Sequence, residues 1–267
     1  MHFAMDVSLD PTLGCGQAHR WRKQDDGSWE GVIGKDIVSL HQTPDGFDSS
    51  ENCRKDAVLE YFRSGDDLDA ILSEISAADP FVAGLSSKCH GLRILKQPEW
   101  ECLATYVLAT NVNVKRIAKM VESVCDLFGT DLGRRRAFPT PKQILDGKER
   151  ICECKLGFRE PRFIELAQRT EDGEIDIGAL KELDYGNLVR ELQTINGVGP
   201  KVADCVALFG FGHLCAFPVD VRIQKSLETL YGITGNYRVS SEFGMEKFGR
   251  YAGYAQELLY HMDFITH

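Results

Sequence analysis

The chain has 267 residues, of which 43% are hydrophobic and 27% are charged, and its formal net charge is −9. This composition is typical of a folded globular protein with one large domain or two to three small ones. The sequence has no run of 18 apolar residues and no basic, apolar leader, so we expect neither a membrane span nor a secretory signal. Nine scattered cysteines favour reduced thiols in an intracellular protein, cytoplasmic in a prokaryote and nuclear or mitochondrial in a eukaryote.

The first 80 residues carry short alternating apolar runs, which predict an antiparallel β-sheet. Gly-, Asp- and Pro-containing turns separate these runs, which lie at residues 3–9, 20–23, 28–33 and 36–40. Helical spacing follows at 57–62 and 68–75. We therefore expect a sheet domain with helices over residues 1–80.

Residues 81–267 read as helical, so the predicted fold class is α+β, a sheet domain followed by an all-helical domain. Pro98 and Asn113 mark two helix starts, and Thr140 caps a third helix with Pro141 at its first position. Further helices are predicted at about 161–169, 176–182, 185–193, 201–210, 219–231 and 241–263.

One segment departs from the overall acidity. Residues 111–164 contain twelve lysines and arginines against seven carboxylates, a net charge of +5, so the remainder carries −14. A local basic face can bind one duplex in a salt-sensitive way, although solvated helix faces explain many of these charges equally well. Arg134, Arg135 and Arg136 lie in a predicted loop, where they contact either phosphates or nothing.

The segment Leu192–Asp220 contains a glycine hairpin between two predicted helices. Gly197 and Gly199 provide backbone freedom, including positive φ, and Pro200 suits the first turn of the second helix. The N–H groups of such a hairpin and of the following helix start bind an anion. The sequence therefore predicts a site for a phosphodiester, recognised without reading any base.

A lysine and an aspartate accompany the hairpin. Lys201 lies at a helix start, where the helix dipole disfavours positive charge, so we expect a lowered pKa and a more nucleophilic amine. Asp220, 19 residues later, returns beside the hairpin if a helix and a short loop intervene. An amine facing a carboxylate suits substitution at a sugar carbon. The alternative is a DNA-binding hairpin with a solvated lysine and Asp220 as a helix cap.

The pattern G-V-G-x-K-V-A-D-C followed by P-V-D resembles the active-site motif of the helix-hairpin-helix DNA glycosylases that carry a catalytic lysine. The helix-hairpin-helix part of this motif spans about residues 185–210, and P-V-D follows it. The resemblance implies a two-lobed helical glycosylase domain over 81–267 with the active site between the lobes. Lys201 then takes the nucleophile role, and Asp220 stabilises positive charge on the sugar. Gly197 and Gly199 contact the DNA backbone.

The N-terminal run Cys15-Gly16-Gln17-Ala18-His19-Arg20-Trp21 is similar to S-G-Q-S-F-R-W of the branch specific for 8-oxoguanine. In that family the glycine carbonyl accepts the N7 hydrogen that guanine lacks, a role that falls on Gly16. Read alone, Gly16 is an ordinary turn glycine. The run 251–260 resembles Y-A-G-W-A-Q-A-V-L-F, which implies that Gln256 binds the Watson–Crick edge and Tyr260 stacks on the base. Cys205 matches a cysteine that contacts the flipped base.

Two further segments resemble those that recognise the base left opposite the lesion. Thr110–Ile117 is similar to S-N-N-N-I-A-R-I, which implies that Asn111 fills the gap in the duplex and Arg116 reads the orphaned cytosine. A helix cap and a surface arginine are the alternatives. In Leu156–Phe163, Phe158 matches an aromatic wedge, with a core position as the alternative, and Arg159 matches a second cytosine reader. Arg162 is a rival for Arg159.

These features predict a bifunctional glycosylase and lyase that excises 8-oxoguanine opposite cytosine from double-stranded DNA through a lysine Schiff base, acting as a monomer. Arg222 stands where some members place a histidine near the DNA backbone. No metal or organic cofactor is expected in the chemistry; backbone carbonyls of Gln193, Ile195 and Val198 match the family's ligands for a monovalent ion. The alternatives are a related glycosylase for another lesion and a non-enzymatic helix-hairpin-helix DNA binder.

Overall fold

The structure, a computed structural model, describes residues 1–49 and 53–262. Its strands form one antiparallel sheet in the order β1-β5-β4-β3-β2. The strands are β1 (His2–Ala4), β2 (Arg22–Lys23), β3 (Trp29–Ile33), β4 (Asp36–Thr43) and β5 (Gly46–Ser49). The predicted N-terminal sheet is confirmed, although β5 was not anticipated. The strand predicted over residues 3–9 is shorter, because β1 ends at Ala4. A helix that was not predicted follows over Leu9–Gly14, with Leu9 and Leu13 buried at i,i+4 spacing.

Helices make up most of the rest of the described chain, as predicted. They are α1 (Leu9–Gly14), α2 (Lys55–Tyr61), α3 (Leu68–Ala78), α4 (Pro80–Lys88), α5 (Glu99–Leu108), α6 (Val114–Phe128), α7 (Pro141–Asp146), α8 (Glu160–Glu171), α9 (Ile177–Lys181), α10 (Tyr185–Leu192), α11 (Pro200–Phe209), α12 (Val221–Tyr231), α13 (Tyr237–Phe248) and α14 (Ala252–Tyr260). Short 3-10 helices lie at Lys148–Cys154, Gly157–Arg159 and Gly249–Tyr251.

The helix predicted over 241–263 is two helices, since the 3-10 turn Gly249–Tyr251 separates α13 from α14. Residue 263, the last of the predicted helix, lies outside the described part of the chain. The capping of α7 follows the prediction, because Thr140 and Gln143 exchange hydrogen bonds in a capping box.

Two buried apolar clusters form the core. The smaller packs the sheet against α1 and α2 and includes Phe3, Val38, Leu40 and Phe47. The larger joins the helices from α3 onward. The side chains of α3 therefore pack with the helical cluster. The domain boundary near residue 80 stays a prediction.

The three consecutive arginines of the predicted loop hold the sheet to α6. Arg135 is buried and pairs with Glu30 of β3 at 3.1 Å and with Glu122 of α6 at 2.8 Å. Arg134 also pairs with Glu30, at 2.8 Å, and Arg136 donates to the Gly129 carbonyl. The interpretation that these arginines contact nothing is therefore wrong, and phosphate contact stays a prediction.

All nine cysteines are free thiols, as expected. Cys152 is exposed, Cys215 is half-buried and the other seven are buried. No helix among residues 1–49 and 53–262 combines the length and the apolar character that a bilayer crossing requires.

Candidate active site

The hairpin forms as predicted between α10 and α11. Gly197 adopts a φ of 88°, and a Cβ there would lie 2.8 Å from Cδ of Arg162, so the position requires glycine. Gly199 is different: it is the N-cap of α11 with a φ of −87°, and the expectation of positive φ is wrong for it. Within the described chain, no atom outside its neighbours lies within 4 Å of a Cβ built on Gly199. That space lies directly before the first turn of α11.

Lys201 occupies the first turn of α11, where the sequence predicts it. It is half-buried, and its Nζ lies 5.7 Å from the ring centroid of Tyr106. The neighbouring Cys205 sulfur, and then the Asp220 carboxylate, raise the pKa of Lys201 above its ordinary value, while burial acts in the opposite direction. The expected lowering of this pKa is therefore wrong, because the interactions with Cys205 and Asp220 outweigh the effect of burial. The ammonium must lose a proton before the amine can attack.

Asp220 is the N-cap of α12. Its Oδ1 accepts a hydrogen bond from the backbone N–H of Ile223 at 2.9 Å. The residue also lines the same cavity as Lys201. Capping and a role beside the lysine are therefore compatible, because the cap uses one of the two carboxylate oxygens.

A buried hydrogen-bond network fixes α11. Asp204 accepts from the hydroxyls of Tyr185 in α10, at 2.7 Å, and of Tyr237 and Ser241 in α13. These bonds join three helices around one carboxylate. They set the position of the helix that carries Lys201.

A cavity of about 150 Å³ opens beside the hairpin, between α5, α11 and α14. Its lining includes all the residues predicted to act on the base or the sugar: Gly16, Lys201, Cys205, Asp220, Gln256 and Tyr260. These residues come from four separate parts of the chain. Their roles stay predictions, but their meeting in one cavity is a property of the fold.

The turn that contains Gly16 is held in place by its neighbour Gln17. The buried Gln17 side chain donates to the carbonyls of Thr12 and Arg93 and accepts from the N–H of Leu95. Gly16 itself adopts a φ of 92°, and a Cβ there would lie 3.2 Å from the methyl groups of Val114. The conformation and the close approach both favour glycine at this position.

Three buried side chains in the cavity wall have polar atoms without a hydrogen-bond partner among the described residues. These atoms are Gln256 Oε1, Glu257 Oε2 and both ring nitrogens of His19. Burial, reinforced by the Lys201 charge, lowers the pKa of His19 to about 4, so its ring is neutral at pH 7. Because an unpaired buried polar group costs free energy, a wall of this kind is suited to a polar ligand.

Sequence reasoning assigned no role to Glu257, His19 or Tyr106. Two of the three left a signal, because the compared family segments have alanine at the position of Glu257 and phenylalanine at that of His19. Tyr106 left none, since it lies within a buried apolar stretch of α5. Its hydroxyl donates to the Gln17 carbonyl at 3.2 Å.

The segment predicted to face the opposite strand forms a strained turn. Asn111 adopts a left-handed φ of 54°, uncommon outside glycine. Arg159 is buried, and its guanidinium donates to the carbonyls of Thr110, at 3.0 Å, and Asn111, at 3.3 Å. In this conformation Arg159 holds the turn that presents Asn111.

Phe158 is 55% exposed, so the interpretation of this residue as a core position is wrong. The guanidinium groups of Arg159 and Arg162 lie 4.2 and 5.5 Å from its ring centroid.

Arg116 is exposed on α6. Arg222, also exposed, lies 5.2 Å from the ring centroid of Tyr260 at the cavity.

Possible metal ligands lie away from the cavity. Asp6, Asp69 and His90 bring ligand atoms within 4.8 Å of one another, but all three are exposed and none lines the cavity. In the hairpin, the Ile195 carbonyl accepts a hydrogen bond from the Val198 N–H at 3.0 Å. The monovalent-ion site on this backbone stays a prediction.

The sequence and the fold of this chain are similar to those of known proteins. Residues 3–103 match the family described as 8-oxoguanine DNA glycosylase, N-terminal domain. The chain is 31% identical to the N-glycosylase/DNA lyase OGG1 of Arabidopsis thaliana, over 96% of this chain and 77% of that protein. The 8-oxoguanine glycosylase/lyase of Clostridium acetobutylicum, solved with DNA containing cytosine opposite 8-oxoguanine, superposes with a TM-score of 0.90 at 29% identity, covering 96% of this chain and 91% of the other.

The 3-methyladenine DNA glycosylase of Archaeoglobus fulgidus shares the fold at 19% identity, with a TM-score of 0.79 and coverage of 98% and 97% of the two chains. The fold and the lysine-bearing hairpin therefore define a DNA glycosylase of the helix-hairpin-helix superfamily. The 31% identity to the Arabidopsis protein extends over 96% of this chain and narrows the assignment from the superfamily to one family. The chain belongs to the 8-oxoguanine DNA glycosylase family, as the motifs predicted.

Proposed function

We propose that this protein excises 8-oxoguanine from opposite cytosine in duplex DNA and then cleaves the strand at the abasic site. The N-glycosylase and lyase activities are those by which its relatives are named. The identity of the opposite base, the monomeric state and the roles of individual residues belong to the proposal.

DNA binds through its phosphates to the hairpin, where the open space before Gly199 gives a phosphate access to the N–H groups of α11. The damaged nucleotide leaves the helix and enters the cavity. Phe158 wedges into the duplex and Asn111 fills the gap. Arg116 reads the cytosine together with Arg159 or Arg162; Arg159 must first release the Thr110 and Asn111 carbonyls, whereas Arg162 need not.

Chemistry begins when Lys201, as the free amine, attacks C1′ of the sugar. The C1′–N9 bond breaks, the base departs with its electron pair, and the Asp220 carboxylate stabilises the positive charge that develops on the sugar. Opening of the sugar ring gives a Schiff base with Lys201. Loss of a C2′ proton then expels the 3′ phosphate by β-elimination.

One observation carries this proposal: the hairpin lysine and the capping aspartate line one cavity whose walls also contain unpaired buried polar atoms. A helix-hairpin-helix module that binds DNA without chemistry has no use for such a cavity. Lys201, Asp220 and the residues proposed to bind the base all line this cavity.

Borohydride trapping tests the lysine. Reduction of the Schiff base should give a covalent adduct with a duplex containing 8-oxoguanine opposite cytosine, and Lys201→Gln should give none. Lys142→Gln, an exposed lysine on α7 outside the cavity, is the matched control and should trap like the wild type. An adduct that persists in Lys201→Gln removes this residue from the nucleophile role.

A panel of lesion duplexes tests the substrate. Excision should be fastest for 8-oxoguanine opposite cytosine and much slower for oxidised pyrimidines, alkylated bases and adenine opposite 8-oxoguanine. Faster excision of any other lesion reassigns the specificity within the superfamily. Binding to all duplexes without excision reassigns the protein as a non-enzymatic DNA binder.

A further inference from the structure

Glu257 is a polar residue in the wall of the cavity that Gly16 also lines. It belongs to α14, follows Gln256 and is 5% exposed. The carboxyl interacts electrostatically with Cys15, which directly precedes Gly16 and whose thiol donates to the Thr12 carbonyl at 3.4 Å. The free oxygen, Oε2, has no partner in the described part of the chain.

The backbone of Glu257 is held near the end of α14. The ring of His261 contacts the Glu257 carbonyl at 3.0 Å and the Pro11 carbonyl of α1 at 3.1 Å. His261 thus joins the end of α14 to the helix that leads into Cys15 and Gly16. The two walls that carry Glu257 and Gly16 are therefore held at one separation.

We infer that Glu257 is a second hydrogen-bond acceptor for the N7–H group of 8-oxoguanine, acting beside the Gly16 carbonyl, and is therefore a specificity-determining residue. The inference rests on the proposed function. 8-Oxoguanine carries a hydrogen on N7, whereas guanine has a lone pair there. A carboxylate oxygen accepts from the first and repels the second. Two acceptors at one atom separate the two bases more strongly than one does.

The protonation of Glu257 gives this role a pH dependence. Burial raises the pKa of Glu257 to about 7; the Asp220 carboxylate adds to this, whereas the Cys15 interaction and the Lys201 charge oppose it. Below this pH the neutral carboxyl can donate to a lone pair on N7, so discrimination should weaken. The titratable groups that interact with Glu257 are Cys15, Tyr106, Lys201, Cys205, Asp220 and Tyr260.

The test measures the affinity of the intact protein for two duplexes whose damaged nucleotide carries a 2′-fluorine to block excision. One contains 8-oxoguanine. The other contains 8-methoxyguanine, which is also substituted at C8 but has a lone pair on N7. Glu257→Gln should lower the affinity ratio between the two about tenfold, because its amide can donate to that lone pair. The wild-type ratio should fall between pH 8 and pH 6, and the Glu257→Gln ratio should stay constant.

Two further variants complete the experiment. Glu257→Ala, which installs the residue of the compared family segment, should also lower the ratio and serves if Glu257→Gln fails to fold. Glu246→Gln, an exposed glutamate on α13, should leave the ratio unchanged. An unchanged ratio in both Glu257 variants, or an equal loss of affinity for both duplexes, overturns the inference. A wild type that excises no 8-oxoguanine instead overturns the proposed function.

Discussion

Two buried carboxylates of this protein differ in how their oxygens are satisfied. Asp204, 3% exposed, accepts hydrogen bonds from three hydroxyl groups of α10 and α13. Glu257, 5% exposed, has an oxygen without a partner among the described residues and lies in the wall of a cavity. Their burial is nearly equal, so burial alone does not distinguish them. Unused hydrogen-bonding capacity beside a cavity is the feature that indicates a ligand site.

The largest effect on activity is expected at Asp220. Its carboxylate accepts a hydrogen bond as the cap of α12, as a structural carboxylate does, and it also lines the cavity. Asp220→Asn should slow single-turnover base excision roughly 100- to 1000-fold, since it removes the charge opposite the reacting sugar. Asparagine is an equally good N-cap, so the thermal midpoint should change little. DNA affinity should also be largely retained. Loss of DNA binding in parallel with excision would make Asp220 a cap alone.

Removal of the Asp204 carboxylate, whose hydrogen bonds are all made within the protein, should lower the stability of the fold. Asp204→Ala leaves the hydroxyls of Tyr185, Tyr237 and Ser241 without their shared acceptor, and we expect the free energy of unfolding in urea to fall by roughly 3 kcal/mol. Asp126→Ala, at an exposed position of α6, is the control and should change it by less than about 0.5 kcal/mol. Equal effects of the two substitutions would contradict a structural role for the network.

Substitution of Glu257 should have the opposite effect on stability to substitution of Asp204. Its folded-state pKa of about 7 lies above the ordinary 4.5, so its contribution to stability is complete below pH 4.5 and is lost as the pH rises through 7. Glu257→Gln does not titrate. Relative to the wild type it should therefore gain about 3 kcal/mol of unfolding free energy between pH 4.5 and pH 8. A pH-independent difference between the two proteins would show that Glu257 is satisfied after all.

Local signals predicted the parts of the site that lie close together in sequence. The hairpin, Pro200 at the helix start and Lys201 in its first turn need only backbone preferences, and Asp220 needs only its cap position. The cavity is different. Which wall receives Glu257 or His19 depends on how α14 and the Gly16 turn dock, and that docking involves contacts as distant in sequence as His261 with Pro11. Such contacts leave no periodic signal.

The same reasoning explains the errors over charged groups. The sequence predicted a lowered pKa for Lys201 from its helix end and its partial burial, but Cys205 and Asp220 determine the direction, and Asp220 is 19 residues away. Arg134–Arg136 look like a free basic loop until the fold brings Glu30 and Glu122 to them. Secondary structure follows mainly from neighbours in the chain, whereas electrostatics follows from neighbours in space.

The distribution of thiols offers a practical handle on the molecule. Cys152 is the exposed one of nine cysteines, and seven of the others are enclosed in the folded chain. A maleimide dye should therefore attach first to the 3-10 helix Lys148–Cys154, which gives a single fluorescent reporter without mutagenesis. Unfolding makes the enclosed thiols reactive, so the fraction of molecules that carry many dyes in a mass spectrum gives the fraction of chains that have unfolded.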